Sequence, residues 1–401
     1  MFIPNTELAK RAVTEFGSPV FLANKQTIEA NAKKMLSAFS GLNLKMFYAI
    51  KANYNPAVVK TVKESGIFGV DTVSTNEIKH VLSLGYTPEQ VVFTPSNPSD
   101  AEMKEAGELG VLQNLGSISE LKRFGELFPG GEVSIRICPK VGAGEFKQVT
   151  TGGESSKFGV GLHDLDTVKE VCAASGVKIV GIHSHIGSGF YDAVAFKYSV
   201  EAVLDVARQF ETVTHVNFGG GYGVQYHPDK EEINLNEFAE AITAPVAAYE
   251  AETKKTLELR IEPGKYLVSN STVLLTTVTT VKDKGDVTFV GLNSGFNHII
   301  RPAMYNAYHH VVNVSDPQGE PCWVEVVGNV CETCDVFNSG IEIADPKEGD
   351  ILAILVAGGY GASMSSNYNM RGMAAEVMLD GDALTLTKRA QTLEDITQLF
   401  V

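Results

Sequence analysis

The sequence predicts an α/β protein in which a (β/α)8 barrel of the TIM type is joined to a mostly β domain near the C-terminus. Two observations predict the barrel: eight short, β-branched runs recur between residues 46 and 262, and helical or looped stretches separate them. The third observation is a change after Asn270, where strand-like runs dominate and Gly-Asp or Asp-Gly turn signals divide them. A doubly wound sheet fits less well, because its first strand-to-helix turn normally carries a glycine fingerprint.

The predicted barrel strands alternate with helices along the whole region. Amphipathic helical segments fall at residues 76–84, 117–128 and 194–210. The eight strands are predicted at residues 46–50, 67–71, 91–94, 111–114, 133–138, 178–183, 214–218 and 257–262.

The second domain is predicted from runs at residues 272–281, 287–291, 323–328, 351–355, 375–379 and 383–388. The first 25 residues, with Pro19-Val20-Phe21-Leu22, are expected to add one strand to it. The sequence therefore predicts a barrel domain at residues 26–269 and a β-rich domain formed by residues 1–25 and 270–401.

The composition argues against certain partners and indicates the cellular compartment. A net charge of −15 argues against nucleic acid or an anionic membrane as the main partner. Five cysteines in 401 residues do not form a disulfide framework, which favours a reducing cytoplasm. We expect no signal peptide at the N-terminus, and no run of 18 apolar residues predicts a membrane span.

Unusual polar residues fall at the C-terminal ends of the predicted barrel strands. Barrel enzymes place their active sites at this face, because the βα loops converge there. The sequence therefore predicts an active site at this face. The residues in question are Lys51, Asp71, Arg136, His185, Gly219 and Glu262.

Lys51 follows the apolar run Phe47-Tyr48-Ala49-Ile50, so its amine is expected to project from a buried strand end. Desolvation would lower its pKa and make it a nucleophile toward aldehydes. The alternative is a lysine that caps the strand and extends to solvent. Glu262 offers a carboxylate that can hold the proton of a pyridine nitrogen, or else a structural ion pair.

Three further motifs each allow more than one interpretation. Gly219-Gly220-Gly221 directly follows a strand and either exposes backbone N–H groups to a phosphate or forms a tight structural turn. His183 and His185 allow a metal site, but no carboxylate or cysteine nearby completes a ligand set. Cys331-Glu332-Thr333-Cys334 lacks the context that a zinc or redox site needs.

Taken together, the motifs resemble the pyridoxal phosphate (PLP)-dependent decarboxylases of alanine-racemase-like fold, and within them the diaminopimelate decarboxylase family. The similarity extends over nearly the whole chain, and the ordered set is far more specific than any one motif. The motifs are YAIKAN at 48–53, TGGESSKFG at 151–159, HIGSG at 185–189, GGG at 219–221, EPG at 262–264, RPAMY at 301–305, CE at 331–332 and GASMSSNYN at 361–369.

This resemblance implies that Lys51 binds PLP as a Schiff base, that Glu262 contacts the pyridine nitrogen and that His185 packs on the ring. Cys331 resembles the proton donor of the family, which reaches into the partner's active site, so the resemblance implies a homodimer with shared sites. No metal ion is implied. The implied cofactor contacts are Lys51, Asp71, Arg136, His185, Ser188, Gly219, Gly220, Gly221, Glu262, Gly264, Lys265 and Tyr360, and the implied substrate contacts are Lys265, Arg301, Tyr305, Glu332 and Tyr360.

The implied reaction is decarboxylation of meso-2,6-diaminopimelate to L-lysine, with Arg301 contacting the distal carboxylate. Lys265 departs from the family's common arginine, and further departures occur at Asn76, Asn293, His298 and Cys334. The alternatives are a related decarboxylase acting on ornithine, arginine, a D-diamino acid or a carrier-linked substrate, an amino-acid racemase, and a non-catalytic PLP-binding module.

Overall fold

The computed structural model describes residues 1–139, 141–145, 150–152 and 156–401. The chain begins with helix α1, strand β1 and helix α2, and the first strand of the barrel follows α2. Asn5 and Asn24 cap the two helices, because their side chains accept backbone N–H groups of the first turn. These elements are α1 (Thr6–Phe16), β1 (Val20–Asn24) and α2 (Lys25–Ala38).

Within the described residues, eight parallel strands close into a barrel. The order is β5-β4-β3-β2-β10-β9-β8-β6, and pairing of β5 with β6 completes the circle, so the predicted fold is confirmed. A two-residue strand, β7, pairs in parallel with the C-terminal end of β6. The strands are β2 (Leu44–Ala49), β3 (Gly69–Thr72), β4 (Val91–Phe93), β5 (Leu112–Leu115), β6 (Glu132–Cys138), β7 (Val160–Gly161), β8 (Lys178–His183), β9 (His215–Asn217) and β10 (Glu258–Ile261).

Helices follow the barrel strands and cover their outer faces. Ser74, Ser99 and Ser117 begin three of them, and each hydroxyl accepts the N–H three residues further on. These caps hold the βα loops at the face where the polar residues gather. The helices are α3 (Pro56–Glu64), α4 (Thr75–Ser83), α5 (Asp100–Glu108), α6 (Ile118–Leu127), α7 (Leu165–Ser175), α8 (Ala193–Ala207), α9 (Leu235–Thr253) and α10 (Lys265–Val268).

The second sheet has the order β15-β14-β12-β11-β1-β17-β18, with β16 joining β11 to β13. The N-terminal strand β1 pairs with both β11 and β17, as predicted. The elements are β11 (Thr272–Asp283), β12 (Thr288–Leu292), α11 (Arg301–Tyr305), β13 (Val311–Asn313), β14 (Pro321–Val327), β15 (Val336–Ala344), β16 (Ile351–Ile354), β17 (Ala375–Asp380), β18 (Ala383–Lys388) and α12 (Leu393–Thr397).

Alternate residues of the central strands enter two separate apolar cores. Phe21 and Leu274 pack into one core, whereas Leu22 and Val273 pack into the other. The centre of this sheet is therefore buried on both faces. Among the helices described, none is both long and apolar enough to cross a membrane.

Candidate active site

Lys51 lies in a single 3-10 turn, Ile50–Ala52, directly after β2. Its Nζ is 3.3 Å from Oδ2 of Asp71 on the neighbouring strand β3. Burial alone would lower the pKa of Lys51, but the Asp71 carboxylate above all raises it over its usual value. The predicted lowering of this pKa is therefore wrong. The sequence placed Lys51 at a strand end but did not reveal the carboxylate beside it.

Asp71 is fully buried between Lys51 and the next acidic group of the site. Burial, followed by the charge of Glu262, raises the pKa of Asp71 to about 7, against the opposing effect of Lys51. Its Oδ1 has no hydrogen-bond partner in the described part of the chain. The site therefore contains a buried polar atom that a ligand can satisfy.

Glu262 follows β10 and is held on both carboxylate oxygens. His183 Nε2 lies 3.0 Å from Oε2, and Asn217 Nδ2 donates to Oε1 at 2.7 Å. Burial acts to raise the pKa of Glu262, but His183 and then Lys51 outweigh it and lower the pKa to about 2. Glu262 is consequently a buried anion at the end of β10. From the sequence, His183 was considered only as a metal ligand, and Asn217 was not identified as a partner of Glu262.

The glycine turn after β9 packs against the end of β8. Gly220 donates its N–H to His185 Nδ1 at 3.1 Å, and Gly219 donates to Asn217 Oδ1 at 2.9 Å. The Gly221 N–H has no such partner among the described residues. Burial lowers the pKa of His185 well below its usual value, so its ring is neutral and Nε2 carries the proton.

No side chain fits at the centre of this turn. A Cβ on Gly220 would lie 1.9 Å from the Glu262 carbonyl oxygen, and one on Gly221 would lie 2.0 Å from the Gly187 carbonyl oxygen. The backbone segments meet closely here, and of the three glycine amides only that of Gly221 has no partner in the described part of the chain and is left for an anion.

Arg136 and Ser188 border the same region. Arg136 in β6 donates to the His185 carbonyl oxygen at 3.4 Å and stacks over Phe158 at 4.6 Å. The Ser188 carbonyl oxygen accepts the Glu145 N–H at 2.9 Å. Residues 153–155 of the TGGESSKFG motif lie outside the described residues.

Two buried cations converge on one carboxylate oxygen. Lys265 Nζ is 3.5 Å and Arg301 NH2 is 3.9 Å from Oε2 of Glu145. Both cations also lie over the Tyr226 ring, at 5.6 Å and 4.6 Å from its centroid. Burial and the charge of Arg301 lower the pKa of His309 to about 3, and its neutral Nε2 accepts from Arg301 at 3.0 Å. The structure thus brings the predicted Lys265 and Arg301 together, whereas Glu145 and Tyr226 were missed.

The loop after Lys51 is bonded to the second domain. The Ala52 carbonyl oxygen accepts the Tyr360 N–H at 2.8 Å and the Ser363 hydroxyl at 3.1 Å. Asn53 Nδ2 donates to the Gly358 carbonyl oxygen at 3.0 Å. Tyr360 is therefore held beside Lys51 by the backbone of its own loop.

Gly264 packs against the strand that leads to Lys51. A Cβ at Gly264 would lie 3.1 Å from that of Ala49, and the Ala49 N–H donates to the Pro263 carbonyl oxygen at 3.1 Å. The Glu262-Pro263-Gly264 segment is thereby fixed next to β2.

Among the contacts of the described residues, none joins Cys331 or Glu332 to Lys51 of the same chain. Both are exposed, and among the bonds described Cys331 N–H donates to Asn369 Oδ1 while Glu332 accepts from the Tyr368 hydroxyl. Tyr305 is half-buried at the end of α11. Cys334, like the other four cysteines, is a free thiol.

Two departures from the family pattern are bonded inside the second domain. Asn293 donates to the Ser18 carbonyl oxygen at 3.0 Å, and His298 contacts the Gly372 carbonyl oxygen at 3.0 Å. Among the described residues, no group of three or more His, Cys, Asp or Glu side chains is arranged so that it could hold a metal ion.

Comparison with known proteins agrees with this geometry. The family model described as "Pyridoxal-dependent decarboxylase, pyridoxal binding domain" matches residues 25–269. The barrel and the residues at its mouth therefore define a PLP-dependent decarboxylase, which confirms the predicted cofactor and enzyme class.

Relatives of known name narrow the assignment from this class of enzyme to one family. The diaminopimelate decarboxylase of Methanothermobacter thermautotrophicus is 38% identical over 392 residues, covering 95% of this chain and 91% of that one. The Escherichia coli (strain K12) enzyme of the same name is 33% identical over 100% of this chain and 98% of its own. The Helicobacter pylori diaminopimelate decarboxylase structure complexed with L-lysine has a TM-score of 0.89 at 29% identity and covers 97% of this chain and 98% of that one. The chain belongs to the diaminopimelate decarboxylase family.

Proposed function

We propose that this chain decarboxylates meso-2,6-diaminopimelate to L-lysine and CO2 with PLP as its cofactor. The observation that carries the proposal is the pairing of buried Lys265 and Arg301, which converge on a single carboxylate oxygen. Diaminopimelate has a distal carboxylate for such a pair, whereas ornithine and arginine have none. Arg301 offers two parallel N–H groups to that carboxylate, and Lys265 adds a point charge.

The residues at the barrel mouth fit PLP in their chemistry. When bound, PLP supplies an aldehyde that condenses with amines and a ring that accepts the electron pair left by departing CO2. Lys51 would hold it covalently, and Glu262, ionised at neutral pH, would keep the proton on the pyridine nitrogen. Neutral His185 would cover a ring face, and Asp71 would contact the cofactor through its unpaired Oδ1.

The phosphate of the cofactor would lie against the glycine turn, where the Gly221 N–H is available. Ser188, Gly264 and Tyr360 would border it, with Gly219 and Gly220 fixing the turn and Arg136 supporting His185. Lys265 is assigned primarily to the substrate, because it shares its anionic partner with Arg301.

Each active site would be completed by a second copy of the chain. The partner subunit's Cys331 would deliver its thiol proton to the carbon that loses CO2, and the partner subunit's Glu332 would accept the distal ammonium. Tyr305 and Tyr360 would add hydroxyl contacts to the substrate. The exposure of Cys331 and Glu332, on a turn held by Asn369 and Tyr368, supports this arrangement.

The substrate is tested by measuring CO2 release from meso-diaminopimelate, L-ornithine, L-lysine and L-arginine with added PLP. We expect release from diaminopimelate alone. Arg301→Gln should raise its KM by roughly 10- to 100-fold, the value of a charge-assisted pair of hydrogen bonds. Arg389→Gln, at an exposed arginine, is the matched control. Release from ornithine but not from diaminopimelate would contradict the proposal.

The cofactor attachment and the shared sites have separate tests. Borohydride reduction should leave a covalent adduct on wild-type protein and none on Lys51→Ala. Mixing inactive Lys51→Ala and Cys331→Ser chains should restore about a quarter of wild-type activity, because half of the dimers then contain one intact site. No restoration despite mixed dimers would show that each site uses one chain only.

We propose domains at residues 26–269 and at 1–25 with 270–401, the second contributing to the dimer interface and active site. A cytoplasmic homodimer without nucleic-acid or membrane partners agrees with five free thiols and a net charge of −15.

A further inference from the structure

Glu145 is an acidic residue inside the cationic part of the site. The Glu145 N–H donates to the Ser188 carbonyl oxygen at 2.9 Å, and Ala143 N–H donates to the Ile186 carbonyl oxygen at 3.0 Å. These two backbone bonds fix the segment beside the residues that follow β8. Because Gly189 has no side chain, it leaves room for that of Glu145: a Cβ at position 189 would lie 2.8 Å from Glu145 Oε2.

The carboxylate of Glu145 is the only anionic partner of both cations among the ion pairs of the described residues. Side chains of Lys265 and Arg301 are 6% and 3% exposed, whereas that of Glu145 is 24% exposed. The cations are thus fixed in the protein interior, and the carboxylate reaches them from the solvent side. Their other contacts among the described residues are with His309 and with the face of the Tyr226 ring.

We propose that Glu145 is a specificity-determining residue whose carboxylate occupies, before substrate binds, the position between Lys265 and Arg301 that the distal substrate carboxylate takes. The inference rests on the proposed function for the identity of that substrate. Two carboxylates repel each other at this distance, so Glu145 withdraws when the substrate carboxylate arrives. The Glu145 carboxylate keeps the two buried cations paired in the free enzyme, and it weakens the binding of every ligand that must replace it.

A ligand ending in an ammonium does not have to displace Glu145. Its cationic end can approach the carboxylate while the two protein cations remain paired. Removal of the Glu145 charge should therefore favour carboxylate-ended ligands selectively. The same change leaves two buried cations without an anion in the free enzyme, which destabilises it.

The test uses PLP-loaded protein and pimelate, a seven-carbon dicarboxylate without amino groups, so that binding requires no reaction. By calorimetry, Glu145→Gln should bind pimelate about five- to tenfold more tightly than wild type, as expected for loss of one competing ion pair. Glu145→Asp should lie between them, because its shorter side chain keeps the charge but reaches less far. Arg301→Gln should lose binding, and Glu170→Gln, an exposed charge change on α7, should match wild type.

Two further readouts separate competition from a merely structural role. Without ligand, Glu145→Gln should melt at a lower temperature than wild type, and pimelate should raise its melting temperature by more. With diaminopimelate, KM should fall while kcat stays near the wild-type value, because the contact is remote from the reacting carbon.

Equal or weaker pimelate binding by both Glu145 variants would overturn the inference. If wild type turns over diaminopimelate and the variants bind pimelate no better, only the role of Glu145 fails. If pimelate binding tightens as expected but diaminopimelate is not decarboxylated, the proposed substrate fails while the competition by Glu145 holds.

Discussion

Replacement of Gly220 by alanine tests whether the close contact behind the glycine turn holds the site together. The added Cβ would lie 1.9 Å from the Glu262 carbonyl oxygen, and such a pair does not approach within 3.0 Å, so the segments must separate by at least 1.1 Å. That movement breaks the Glu262 N–H bond to the Gly219 carbonyl oxygen (2.9 Å) and the Gly220 N–H bond to His185 (3.1 Å). Two lost bonds and the accompanying strain give a destabilisation of about 3–4 kcal/mol.

Urea unfolding of Gly220→Ala and Gly41→Ala measures this cost. No atom lies within 4 Å of a Cβ at Gly41, so that control should stay within about 0.5 kcal/mol of wild type. Gly220→Ala should also retain less PLP after dialysis, since His185 loses the bond that orients its ring. Equal unfolding free energies and equal cofactor contents in the two variants would refute a steric clash at Gly220.

Two other substitutions probe charges in the barrel. Glu262→Gln removes the anion held by His183. It should lower kcat by roughly two orders of magnitude, as does the loss of other groups that stabilise charge in a transition state. An unchanged kcat would exclude Glu262 as the partner of the pyridine nitrogen. Burial lowers the pKa of His215 to about 3, so between pH 6 and 4 the unfolded chain binds one proton more at this residue and stability falls as pH falls. Measured over that range, the unfolding free energy of His215→Asn should fall by about 1.4 kcal/mol per pH unit less than that of wild type. Parallel curves for His215→Asn would contradict this reasoning.

The barrel could be predicted because each of its strands is a short apolar run between polar segments. All eight predicted runs overlap observed strands, and residues 178–183 coincide with β8. Two strands of the second domain, β13 and β15, were missed. β13 was missed because it has only three residues. β15 was missed because Asn338-Ser339-Gly340 inside it resembles a turn. In the structure the strand continues through these residues, and its pairing with β14 shifts in register between Val324 and Val326.

The candidate site was predictable where residues follow barrel strands, as Lys51 and Glu262 do. Its electrostatics were not, because the pKa of Lys51 depends on Asp71, which is 20 residues away in sequence and 3.3 Å away in space. Glu145 lies on a loop without a repeating pattern, so nothing in the sequence indicated its contact with Lys265.

The bonds from Ala52 and Asn53 to Tyr360, Ser363 and Gly358 have a consequence for protein engineering. The residue next to Lys51 is anchored by segments more than 300 positions later in the chain. An excised barrel would leave these polar groups unpaired and the lysine-bearing loop untethered. Transplanting a new β domain onto this barrel would therefore require that it reproduce these anchor points as well as the outer surface.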